Sequence, residues 1–173
     1  RISDLTGKRI IITGGASGIG YAAAVKLADK GAEVVLAVRT LEKGEKAAAR
    51  LIESNPGAKV SVMHLDLGDL ESVRQFAQQV ALKYNKLDIL INNAGVMVPP
   101  YRKTEQGFEL QFGVNHDARP PVPPDQGQHP FVADLPGHPR HQQVMLDAVG
   151  YVPGVAAKSS AIVAGRFPET RPR

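Results

Sequence analysis

An apolar run that breaks into glycines, Arg9-Ile10-Ile11-Ile12-Thr13-Gly14-Gly15-Ala16-Ser17-Gly18-Ile19-Gly20, constrains this 173-residue chain more than any other stretch. It predicts a buried parallel strand turning tightly into a helix N-terminus, where unpaired backbone N–H groups and the positive end of the helix dipole receive a phosphate. Glycine tolerates positive φ at such a turn and has no Cβ to collide with a pyrophosphate. Gly14, Ser17, Gly18, Ile19 and Gly20 are therefore candidate cofactor contacts. The same glycines also suit an ordinary strand–turn–helix connection, so the rest of the chain has to decide.

From residue 8 to about residue 95, strand-like and helix-like patterns alternate, the signature of βαβ units and a parallel sheet. A first helix from Gly18 places Ile19, Ala23 and Leu27 on one face and stops at Gly31. A second strand over residues 33–38 is almost continuously apolar, as strands covered on both faces are. Thr40 caps a second helix, which ends before Asn55-Pro56-Gly57. A third strand over residues 59–64 carries His64 as a packed residue. A third helix from Asp69 buries Leu70, Val73, Ala77, Val80 and Tyr84, and a fourth strand over residues 87–91 ends in Asn92-Asn93-Ala94-Gly95. Right-handed crossovers bring the four strand C-termini to one edge, so Gly14, Arg39, Asp66 and Asn92 should border one crevice. The expected fold class is α/β, the N-terminal half of a Rossmann-type doubly wound parallel sheet.

Arg39 carries the most information about a ligand. In dinucleotide folds an acidic residue about twenty positions past the glycines receives the ribose hydroxyls, whereas an arginine pairs with a 2′-phosphate. Arg39 lies nineteen residues beyond Gly20 and so favours NADP(H) over NAD(H), against the plainer reading of a surface arginine ending a strand. Asp66 is placed to accept the adenine amino group, with the Leu67 N–H near a ring nitrogen; an ordinary turn aspartate explains it equally well. Asn92 ties adjacent loops through its amide at this site, while Ala94 and Gly95 leave room for a flat ring or a sugar.

Beyond residue 100 a polar loop leads to a short amphipathic segment over residues 107–116, and then the composition changes. Prolines stand only at 56, 99 and 100 before this point, yet ten more fall between 120 and 172. The expected organisation is an incomplete nucleotide-binding domain over residues 1–117 and an irregular Pro/Arg-rich tail over residues 118–173, patterned only from about 155 to 164. The absence of cysteine excludes disulfides, thiolate metal sites and a catalytic thiol. His129, His138 and His141 have no metal-ligand spacing, so no metal is expected. Net charge is +4 and pI about 9.4, but acids and bases are interspersed, which argues against a nucleic-acid face. No apolar stretch reaches the roughly 20 residues of a membrane span, and a cytoplasmic protein is the expectation.

Thr13-Gly14-Gly15-Ala16-Ser17-Gly18-Ile19-Gly20, Asp66-Leu67 and Asn92-Asn93-Ala94-Gly95 together resemble the short-chain dehydrogenase/reductase family. Residues 107–116 are similar to its retinol-dehydrogenase-like and protochlorophyllide-reductase-like branch, and the resemblance covers about residues 4–116. It implies a Rossmann fold, NADP(H) in the crevice, and hydride transfer between nicotinamide and a small carbonyl or alcohol substrate. The family's catalytic group is Ser, Tyr and Lys assisted by an Asn; tyrosine relays the proton, lysine lowers its pKa, and serine polarises the carbonyl oxygen. Only the asparagine carries over, at Asn115. The chain contains no Tyr-x-x-x-Lys, because Tyr151 and Lys158 are seven apart across Pro153-Gly154, and Ser159 and Ser160 follow the lysine.

Three explanations of the tail compete: a reading-frame slip or variant exon after His116, a binding-only protein, and an unfamiliar catalytic arrangement. The first is preferred, since dropping one base through Val122-Pro123-Pro124-Asp125-Gln126 leaves codons that spell Phe-Leu-Leu-Thr and a basic residue. The alternative function is a non-catalytic nucleotide-binding or interaction module whose open edge after the fourth strand pairs with a partner, and a homo-oligomer stays open.

Overall fold

A computed structural model describes residues 3–115 and 162–166. Four parallel strands, β1 (Arg9–Thr13), β2 (Glu33–Val38), β3 (Lys59–His64) and β4 (Lys86–Ile91), are joined by helices α1 (Gly18–Ala28), α2 (Leu41–Ser54) and α3 (Leu70–Lys83). A short helix α4 (Leu110–Asn115) and a strand β5 (Ile162–Arg166) complete the described elements. The sheet order is β3-β2-β1-β4-β5, so the chain reverses direction across the sheet at β1. Ligand crevices of open α/β sheets lie at such a switch point, beyond the strand C-termini.

The strands are continuously apolar because each of their faces meets a helix layer. Ile11, Val35, Ala37 and Leu90 pack with Val73, Phe76, Ala77 and Val80 of α3. Ile10, Ile12, Val34 and Leu36 pack on the opposite face with Ala24 and Ala28 of α1 and Ala47, Ala48 and Leu51 of α2. Each fully buried isoleucine or valine stabilises the fold by about 1.5–3 kcal/mol relative to exposure. Two glycines bring the second layer close. A Cβ on Gly20 would lie 2.6 Å from the Gly14 carbonyl oxygen, and one on Gly44 would lie 2.6 Å from a Val62 methyl.

That close approach corrects the expected face of α1. Gly20, Ala24 and Ala28 face the sheet, one residue out of step with Ile19, Ala23 and Leu27, and Ile19 is 84% exposed. A helix held this near the strands takes its smallest side chains inward. His64 is likewise exposed rather than packed, because β3 is the outermost strand. Within the proline-rich tail, residues 162–166 form a strand antiparallel to β4, pairing Ile162 with Ile91 and Arg166 with Lys86. The edge expected to be open therefore has its backbone groups matched by this chain's own β5. The boundary at 117 and Tyr151, Lys158, Ser159, Ser160, His129, His138 and His141 lie outside the described residues.

Opposite the crevice, Asp88 fastens β4 to β1. Its carboxylate accepts from the Arg9 backbone N–H at 2.9 Å and meets Lys8 Nζ at 3.2 Å and Lys86 Nζ at 3.3 Å. Burial alone would raise this carboxyl, but the Arg9 N–H and the two ammonium groups outweigh it and hold it below the usual carboxylate range. A depressed folded pKa contributes stability above the unfolded value near 3.8, lost as pH falls through the folded one. Asp88→Ala should therefore lower stability at pH 7 by about 1–3 kcal/mol. The difference from the parent should shrink below about pH 4 in urea melts run across pH.

Candidate functional site

At the C-terminal ends of the parallel strands lies a cavity of about 490 Å³, bounded by the four segments that follow β1 to β4. Gly14, Ser17 and Ile19 form the wall after β1; Arg39, Thr40 and Lys43 form the wall after β2. Leu65, Asp66 and Leu67 follow β3, and Asn93 to Val96 follow β4. Val114 of α4 closes one side, and its size suits a small-molecule ligand.

The wall after β1 is shaped by backbone. Gly14 has φ +66°, and a Cβ there would lie 3.0 Å from Ala94 Cα, so only glycine lets this turn approach the loop after β4. Gly18 has φ +55° with open space around it. Ser17 precedes α1 with extended backbone, and its hydroxyl makes no capping bond. Gly18 and Gly20 do not line the cavity: the first permits the turn, the second the seating of α1.

Thr13 and Asn93 lock the walls together. Thr13 is 1% exposed, and its hydroxyl oxygen accepts from the Asn93 and Ala94 N–H groups, both at 3.0 Å. Asn93 Nδ2 donates back to the Thr13 carbonyl at 3.1 Å. The tie between loops expected of Asn92 is thus made by its neighbour. Both polar atoms of the Asn92 side chain are buried with no hydrogen-bond partner among the described residues, and Asn92 does not line the cavity.

Asp66 Oδ1 accepts from the Gly68 N–H at 2.8 Å, and Asp66 N–H donates to Ser72 Oγ at 3.0 Å, a closed turn that still fronts the cavity. Both readings of Asp66 are compatible with this placement. The Glu71 N–H, helped by the Gln106 amide, holds the neighbouring Asp69 carboxyl below its usual range at the start of α3. Asn115 lies behind the cavity wall: Oδ1 accepts from the Val96 N–H at 2.8 Å and Nδ2 donates to the Val96 carbonyl at 2.7 Å. Its side chain therefore fixes the loop after β4 by copying a strand pairing.

The charges at the rim are unbalanced. Arg39 and Lys43 are exposed on the same wall, and neither has a hydrogen bond or ion pair among the described residues. No group of three or more metal-ligating side chains occurs among the described residues, and no described helix is long and apolar enough to cross a membrane.

Residues 8–118 match the family described as short chain dehydrogenase. Human retinol dehydrogenase 13 is 46% identical over 114 residues, which take in 66% of this chain and 34% of that protein. An uncharacterized protein from Mycobacterium paratuberculosis superposes with a TM-score of 0.58 at 43% identity, over 66% of this chain and 40% of that one. A short chain dehydrogenase from Escherichia coli CFT073 complexed with NADPH superposes with a TM-score of 0.51 at 35% identity, over 56% of this chain and 41% of that one. The chain spans about a third of the length of the curated relatives it matches.

Proposed function

This chain belongs to the short chain dehydrogenase family, and from that premise we propose that it binds NADPH in the crevice and serves hydride transfer between the coenzyme and a small carbonyl or alcohol. The observation that carries the reading is the meeting of Gly14 and Ser17, Arg39, Asp66 and Leu67, and Ala94 and Gly95 around one cavity. Its parts suit the parts of the coenzyme. The glycine turn delivers bare backbone to the start of α1, where a pyrophosphate can dock, the guanidinium of Arg39, unpaired among the described residues, suits a ribose 2′-phosphate, and Asp66 with Leu67 offers an acceptor and an N–H to an adenine edge. Bound NADPH supplies the hydride. The chain's own residues hold and orient it: Thr13 and Asn93 fix the spacing of two walls, and Asn115 fixes Val96. The NADPH complex of the Escherichia coli relative supports the choice of coenzyme.

A second reading, nucleotide binding without turnover, is favoured by the missing Tyr-x-x-x-Lys and by an Asn115 amide whose oxygen and nitrogen are both bonded to Val96. One experiment separates the two. The purified chain is titrated with NADPH and NADH, then assayed for NADPH consumption with a panel of aldehydes and ketones. Saturable binding with turnover is expected of the oxidoreductase, and binding alone leaves the module. No saturable binding of either coenzyme refutes both.

A further inference from the structure

Resting on the coenzyme reading above, we propose that Gln111 is a positioning residue for the coenzyme: it latches the loop after β4 through a strained backbone at Val98, and that latch sets how tightly the cavity wall ending at Val96 holds its ligand. Among the described residues, Val98 is the one residue other than glycine with a positive φ, +47°. A β-branched side chain in that left-handed region is a true outlier. Pro99 follows, and a residue before proline is pushed further toward extended backbone. Packing does not offset the strain, because the Val98 side chain is 83% exposed. A hydrogen bond holds the backbone instead: the Val98 N–H donates to Gln111 Oε1 at 2.7 Å.

The latch belongs to a larger arrangement in which α4 is the spine of the loop. Leu110 and Val114, four residues apart, turn into the core that holds α3, so Gln111 and Asn115, each one position on, turn toward the loop. Asn115 pairs with both backbone groups of Val96, Gln111 takes the Val98 N–H, and the Leu110 N–H donates to the Arg102 carbonyl at 2.8 Å. Segment 96–102 is thus tied to one short helix at its start, middle and end. Gly95 permits the first tie, since a Cβ there would lie 3.3 Å from Asn115 Oδ1. Neither Val96 nor Arg102 has a positive φ, so the middle tie is the one that works against strain and the first to open. Ala94, Gly95 and Val96 line the cavity immediately before it. A ligand that meets this wall in its latched form must close an open latch before it binds, and its affinity falls by the fraction of chains left open.

The test uses the full chain, with NADPH affinity read by calorimetry and amide exchange at Val98 read by NMR. In the parent, bound NADPH should slow exchange at Val98 by about fivefold, a result that needs no variant. Gln111→Met keeps the length and helix propensity of the side chain but has no oxygen to accept. It should weaken NADPH by about fivefold and speed exchange at Val98, while urea melts show a folded chain. Gln111→Glu keeps an acceptor and should stay within about twofold of the parent. Adding Val98→Gly to Gln111→Met should bring NADPH affinity back to within about twofold of the parent, because glycine takes a positive φ unaided. A glutamine that merely supported α4 would not be rescued by a change on the loop. Unslowed exchange at Val98 in the NADPH-bound parent, unchanged affinity in Gln111→Met, or a loss that Gln111→Glu or Val98→Gly fails to relieve would overturn the role of Gln111 and leave the coenzyme reading intact. A parent chain that binds no NADPH would overturn both.

Discussion

Thr13→Val should destabilise the protein by about 2–4 kcal/mol, whereas Thr13→Ser should cost about 1 kcal/mol. The two replacements differ in one atom that matters. Valine has nearly the shape of threonine but no acceptor, so the Asn93 and Ala94 N–H groups lose the hydroxyl oxygen they share at 3.0 Å. An unsatisfied buried donor costs about 1–3 kcal/mol, and here there are two, each partly shielded from water. Serine keeps the oxygen and loses only a methyl group. Urea denaturation with an unchanged slope would report the difference as stability rather than as a change in the surface exposed. The effect should extend to the ligand, since Ala94 and Asn93 both line the cavity. NADPH affinity should fall in Thr13→Val and stay near the parent in Thr13→Ser. Equal stabilities for the two variants would show that the hydroxyl is not the tie between β1 and the loop after β4.

Asn92 and Asn93 show how far the sequence reaches. Two identical neighbours give composition nothing to choose between, and Asn92 is the wrong choice for the tie between loops. Strand parity holds the missing signal. Ile89 and Ile91 pack on the face that carries α1, while Leu90 faces α3, so continuing the alternation sends residue 93 to the α1 face, where its amide stands beside Gly20. The strands themselves were legible because burial on both faces leaves continuous apolar runs, and no competing period is present in residues 10–12 or 34–38. The α1 face departs from the sequence expectation for a related reason: apolar size favours Ile19, whereas the contact with the sheet demands the smallest side chains, at Gly20, Ala24 and Ala28.

Lys43 and Asn115 were harder still. Nothing near Lys43 in sequence marks it as part of a cavity, because its place depends on Gly44 meeting Val38 and Val62, the second of them on β3, beyond the far end of α2. Asn115 meets Val96 across nineteen residues of chain, and only the folded loop reveals that both ends of its amide are engaged. Arg39 is the opposite case. Its distance from the glycines places it at the end of β2 whatever the details of packing, because a βαβ unit of fixed strand and helix length leaves little freedom.

Arg39→Asp should consequently weaken NADPH binding by about 100-fold, close to 3 kcal/mol, while NADH changes by no more than about threefold. The side chain is exposed at the cavity wall and has no partner among the described residues, so its removal breaks nothing that holds the fold together. Against a 2′-phosphate the substitution acts twice: it deletes a charge-assisted, bidentate donor and installs a carboxylate facing a dianion. Against an unphosphorylated ribose the same carboxylate accepts from the hydroxyls, which offsets the loss of the guanidinium. Raising the salt concentration should weaken NADPH binding to the parent chain and affect the variant much less, since the attraction being screened is gone. Titrations of both coenzymes at two ionic strengths read all four quantities. Parallel losses for NADPH and NADH would mean that Arg39 meets some part of the ligand common to both, and the selectivity for the phosphorylated coenzyme would have to come from elsewhere on the wall.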